Sequence, residues 1–212
     1  MSRLLDTGLE QLTTILFKMG EVAQRTINIA VEGFMEGRDV GEEVHELSDL
    51  LVTMTVAVED KAFELIVKYQ PVASDLRIIN SYMKIAYDME RYGRYAWDIS
   101  FTHNKLTDCA KCAPSEELVD KMTQKTMQMV ETSIRALRDN DAEMAKTLPK
   151  TENEVDEMYS AYIDTLLKAP PNTKCLICNL LVARYLERIA DHATYIGESI
   201  VYIATGEKVS LR

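Results

Sequence analysis

From Val182 to Ile203 an apolar residue returns at alternating steps of four and three: Val182, Leu186, Ile189, Ala193, Ile196, Ile200 and Ile203. The same rhythm runs through Ile78, Tyr82, Ile85, Met89, Tyr92, Ala96 and Ile99. A strand faces alternate residues to one side and cannot keep this spacing, whereas a helix packing a single stripe does. The two runs also match at an offset of 97 residues, which pairs Glu90-Arg91 with Glu187-Arg188, Ala86 with Ala183 and Ile99 with Ile196. The hexamer "LERIAD" (186–191) is therefore partly copied in "MERYGR" (89–94), with Arg94 in the place of Asp191. A long helix present twice predicts a unit built twice.

Upstream, Leu5, Leu9, Leu12, Leu16, Met19 and Ala23 keep the helical spacing, as do Leu47, Leu51, Met54 and Val58. Breaks fall between these stretches. Two glycines mark a turn in "EGRDVGEE" (36–43), and Pro71 in "YQPVASD" stops a helix. "CAKCAPSEE" (109–117) reads as a loop with Ser115 as the cap of the next helix. "RDNDAE" with Pro149, and then "KAPPNT" (168–173), interrupt the second half. The expectation is an all-α fold of six helices in two tandem up-down-up three-helix bundles, over residues 1–108 and 109–212. A length of 212 residues suffices for one or two small domains with a real core.

Charge and hydropathy narrow the function. The net charge is −10, so no basic stripe is available for nucleic acid or anionic lipid. The longest apolar stretch, "LLVTMTVAV" (50–58), is well short of the roughly 20 residues a spanning helix needs. Asp6 and Glu10 lie where a signal peptide would be apolar. The chain is expected to be cytoplasmic.

Two pairs of acids stand four residues apart and hence on one helical face: Glu152 with Asp156, and Glu187 with Asp191. If their helices are antiparallel neighbours, four carboxylates converge, a costly arrangement unless cations neutralise it. Oxygen ligands suit Fe, Mn, Mg or Ca. The alternative places Glu152 in a capping box from Thr151 to Glu154, and pairs Glu187 and Asp191 with Arg184 and Arg188. Cys109 with Cys112, and Cys175 with Cys178, form two CxxC units; a zinc site, disulfides or unligated thiols all fit that spacing. Enzyme signatures are poor. There are three histidines, one Glu-x-x-His unit (Glu42 to His45), no phosphate-binding glycine loop and no GxSxG.

The run "QPVASDLRIINSYMKIAYDMERYGRYAWDI" (70–99) strongly resembles the signature of the phosphate-uptake regulator family, PhoU. "ENEVDEMY", "ARYLERIADHATYIGESIVYIATGE" and Met19-Gly20 extend the likeness over almost the whole chain. The resemblance implies a pair of three-helix bundles acting as a cytoplasmic adaptor rather than an enzyme. Such proteins restrain the phosphate-specific ABC transporter through its ATPase and permease. In many bacteria they also hold a phosphate-sensing histidine kinase in its non-signalling state. A homodimer is expected, and some relatives serve other phosphate permeases. The family's acid-x-x-x-Asp motifs bind iron, zinc, magnesium or manganese. Carried over by position, the second bundle keeps both motifs, Glu152 to Asp156 and Glu187 to Asp191. The first departs: Arg94 replaces the motif's Asp, and Val52 and Thr53 follow Asp49 where an acid is expected. Arg94, a permanent cation, is expected to pair with Glu90 and stand in for the metal. A di-iron-type bundle protein and a generic helical oligomerisation module are the competing readings, and the paired CxxC units lie outside the family pattern.

Overall fold

The computed structural model describes residues 4–106, 116–167 and 173–211. Those residues form helices α1 (Leu4–Glu36), α2 (Gly41–Tyr69), α3 (Ala73–Lys105), α4 (Glu116–Asp139), α5 (Ala142–Ala145), α6 (Leu148–Leu166) and α7 (Thr173–Thr205), and among them there is no strand. Six helices are long, and α5 is a single turn inside the interruption expected near Pro149. Ser115, Cys109 and Cys112 lie outside the described residues.

The helix ends follow local chemistry. Gly37 takes a left-handed φ of +71° just past α1, a conformation glycine adopts without strain. It lets Arg38 N–H return to the Gly33 carbonyl at 2.8 Å. Gly41, expected in the same turn, is instead the first residue of α2, and its N–H donates to the Asp39 carboxylate at 3.0 Å. Gln70 turns left-handed before Pro71 and closes α2. The Asp141 side chain caps α5 by accepting from Met144 N–H at 2.9 Å. The capping box read at Thr151–Glu154 is not formed. Helix α6 begins four residues earlier, at Leu148 rather than Glu152, because Pro149 is accommodated in the first turn, where its missing N–H has no partner to lose. Glu152 is therefore inside the helix rather than at its start.

Helices α1–α3 make one bundle, and α4, α6 and α7 the other. Val182, Leu186, Ile189, Ala193, Ile196 and Ile200 are buried in α7, as are Ile85, Met89, Tyr92, Ala96 and Ile99 in α3. Burial of one such side chain stabilises the fold by about 1.5–3 kcal/mol. The most extensive helix pair is α3 with α7, so the third helix of each bundle forms the shared spine. These two run antiparallel: Asp88 meets His192 and Tyr95 meets Tyr185. The 97-residue offset maps Asp88 onto Tyr185 and Tyr95 onto His192, so the two contacts are the same position seen from either copy. The repeat thus appears in space as a pseudo-twofold arrangement across the α3–α7 seam. The seam is reinforced between α3 and α4, where the Tyr92 hydroxyl lies 3.1 Å from the Ser133 hydroxyl.

Candidate metal centre

In α6 the buried stripe reads Leu148, Glu152, Val155 and Tyr162. An acid thus occupies a core-facing position at the four-three spacing of its apolar neighbours. On the neighbouring helix of the same bundle, Asp191 of α7 is fully buried. Asp156, one turn beyond Glu152, is exposed at the edge. One carboxylate oxygen from each of Glu152, Asp156 and Asp191 falls within 4.8 Å of the others. Glu187 lies one turn before Asp191 and is not part of this group. The ion pairs read as the alternative are both formed: Arg184 with Glu187 at 2.5 Å, and Arg188 with Asp191.

Two buried carboxylates and a third at the rim repel one another unless a cation or a proton intervenes. The donor set, all oxygen and without imidazole, fits a hard divalent cation such as Mg²⁺ or Mn²⁺, and also Fe or Zn. Arg188 supplies a positive charge at one edge and also reaches across the seam. Burial pushes the Tyr95 phenol up, but hydrogen bonds from Arg91 and Arg188 pull it below the ordinary tyrosine value. Arg91 donates to that hydroxyl at 3.0 Å. A chain of contacts therefore runs from Asp191 through Arg188 and Tyr95 to Arg91 on α3.

The first bundle lacks the site for a geometric reason. Val44, Leu51 and Val58 of α2 are buried at the spacing of Leu148, Val155 and Tyr162 in α6, a register that sets Ser48 opposite Glu152 and Val52 opposite Asp156. Where α7 has Ala190, α3 has Gly93. A Cβ at Gly93 would fall 3.3 Å from the Ser48 Cα, so α2 and α3 approach too closely to admit a layer of carboxylates. Arg94 pairs at 3.5 Å with Asp49 of the facing helix, not with Glu90 as expected. Asp49 is also approached by His45 at 3.6 Å. The Glu42–His45 unit is exposed, with His45 against Trp97, so it does not face the core as a di-iron ligand set must.

The profile of the PhoU domain matches residues 16–101 and again 119–200, one match within each bundle. The chain belongs to the PhoU domain family. It is 30% identical to the "Phosphate-specific transport system accessory protein PhoU homolog" of Clostridium acetobutylicum, over 99% of this chain and 98% of that one. A PhoU homolog 1 of Methanothermobacter thermautotrophicus is also 30% identical, over 90% of each chain. The crystal structure of PhoU from Pseudomonas aeruginosa superposes with a TM-score of 0.89 at 25% identity, covering 95% of this chain and 99% of that one. Within the two PhoU repeats, the carboxylate group belongs to the second.

Sequence reasoning missed two features. One is the buried Asp88–His192 contact at 2.7 Å, where burial pushes the Asp88 carboxyl up against the opposing pull of His192. Another is the Arg91–Tyr95–Arg188 bridge. Setting the 97-residue offset against an antiparallel α3–α7 pair would have revealed both. Of the readings open for the cysteines, a disulfide is formed at Cys175, while Cys178 is buried. Spacing alone left zinc, disulfide and thiol open.

Proposed function

We propose that this PhoU-family chain is an accessory protein of a phosphate-specific transport system and restrains phosphate uptake by docking on the transporter's ATPase and permease. The observation that carries this reading is the end-to-end likeness to relatives named for that role, joined to a matching fold. Those relatives are named as accessory proteins, and the residues give no nucleophile or phosphate loop, so the reading is an adaptor rather than an enzyme. A cytoplasmic location follows from the role. Among the described residues no helix is long and apolar enough to cross a membrane, which agrees with peripheral docking.

The boundaries 1–108 and 109–212, a homodimer, and contact with a sensor histidine kinase belong to the same reading. So does a metal held by Glu152, Asp156 and Asp191, with Glu187 joining from the adjacent turn of α7. The cation would neutralise the three carboxylates, clamp α6 to α7 and present a fixed charge on the second bundle. Of the lower-ranked zinc or disulfide set Cys109, Cys112, Cys175 and Cys178, the disulfide reading is the one that agrees with the bonded Cys175. The test is phosphate uptake in the native host. Deletion of the gene raises uptake, the wild-type chain restores restraint, and Glu152→Gln with Asp191→Asn restores it incompletely. Unchanged uptake on deletion would refute the regulator reading.

A further inference from the structure

Away from the carboxylate group, a cleft of about 530 Å³ opens between α2, α3, α7 and the segment after α7. Its wall includes Ser81, the ammonium groups of Lys84 and Lys208, and the carboxylates of Glu59, Asp88 and Glu198. A smaller hollow shares Asn80, Met83 and Tyr202 with it and adds Arg77. The cleft has no residue in common with the metal centre.

Arg77 and Lys208 are held against one aromatic ring, and the Lys84 charge acts on the Asp88 carboxyl. Arg77 sits 5.8 Å from the centroid of the Tyr202 ring, and the Lys208 ammonium is also 5.8 Å from it. The Arg77 guanidinium lies against the backbone of Gly206, where a Cβ would be 2.5 Å from its Nη1. Gly206 itself has φ +79°, so the turn that permits this approach needs glycine. Among the described residues, none of Arg77, Lys84 and Lys208 forms an ion pair, although acids outnumber bases 34 to 24 over the chain.

Two of the three acids that line the cleft have partners of their own. Asp88 binds His192, and a Glu198 oxygen accepts from Leu211 N–H at 2.9 Å. Glu59 stands exposed at the mouth. Two buried donors are left over: Arg77 Nε and the Ser81 hydroxyl have no hydrogen-bond partner, and Ser81 is 1% exposed and lines the cleft. A buried donor left unsatisfied is costly, and an acceptor that reaches it removes the penalty.

We propose that this cleft binds a small organic phosphate ester, its charged group read by Arg77, Lys84 and Lys208, and its body lying along Met83 and the exposed ring of Tyr87. A fixed guanidinium flanked by ammonium groups suits a polyoxygen anion. The volume admits a ligand of mononucleotide size. The site joins the two bundles, since Arg77 and Lys84 come from α3 and Tyr202 and Lys208 from the end of the second bundle.

Isothermal titration calorimetry in chloride buffer tests this with three probes: adenosine 5′-monophosphate, inorganic phosphate and adenosine. The wild-type chain binds the monophosphate more tightly than inorganic phosphate, and does not bind adenosine. Arg77→Met and the milder surface change Lys208→Met each weaken binding about tenfold or more. Lys121→Met, on α4 and remote from the cleft, leaves it unchanged. Circular dichroism establishes that the variants are folded. Absence of binding by either anion at millimolar concentration, equal affinity for the two anions, or binding that survives Lys208→Met would overturn the proposal. None of these results bears on metal binding at α6 and α7, which shares no ligand with the cleft.

Discussion

Arg188 and Arg94 each set a fixed positive charge beside an acid of their own repeat. Arg188 contacts Asp191 and competes with any cation for that carboxylate. Replacing it with Met removes the competitor, and the account predicts metal affinity higher by up to about tenfold, read by titration calorimetry. Asp191→Asn weakens metal binding by at least about tenfold in the same assay. Arg94→Asp alone does not create a second site, because Ser48 and Val52 supply no partners on α2; unchanged metal stoichiometry is the expected result. Asp88 adds a pH effect. Its folded-state pKa is raised above the ordinary value of 3.8, so its contribution to stability is fullest below that value and is lost as pH rises through the higher folded one. The difference in stability between wild type and Asp88→Asn, followed by urea denaturation from pH 3 upward, therefore shifts against the wild type as pH increases.

Among the helices, spacing between neighbours separates the two bundles. At Gly93 an added methyl meets Leu51 Cδ1 at 2.5 Å and the Ser48 Cα at 3.3 Å. The leucine can swing aside but the backbone cannot, so Gly93→Ala costs about 1–3 kcal/mol of stability in chemical denaturation. This level also shows what was readable from sequence. The seams of α1, α3 and α7 were visible because the apolar period is long and unbroken. The start of α6 was misplaced because Pro149 reads equally well as an interruption or as a first-turn residue. The pairing of Glu152, Asp156 and Asp191 was half legible: the four-residue spacing gave the faces, while the inward turn of Glu152 depends on how α6 rolls against α7. Arg94 was assigned to Glu90 because spacing along one helix is visible in sequence and the facing helix is not. The Arg77 cleft was invisible for a similar reason, since its groups meet only when the chain's end folds back onto α3.

Taken whole, the molecule is two PhoU repeats joined along α3 and α7, with Tyr92 and Ser133 linking the bundles from within. A core continuous across this seam predicts one cooperative unfolding transition rather than two, seen as coincident circular dichroism and tryptophan fluorescence curves reporting on the whole chain and on Trp97. The repeats have separated in chemistry while keeping one frame: the first closed its seam with Gly93, and the second kept room for acids. The most direct test is elemental analysis of the purified chain beside Glu152→Gln, Asp191→Asn, with both confirmed as folded. The account predicts metal in the wild type and its loss in the double variant. Equal metal content in the two proteins, or none in the wild type after incubation with Mn²⁺, Fe²⁺, Zn²⁺ and Mg²⁺, would contradict it.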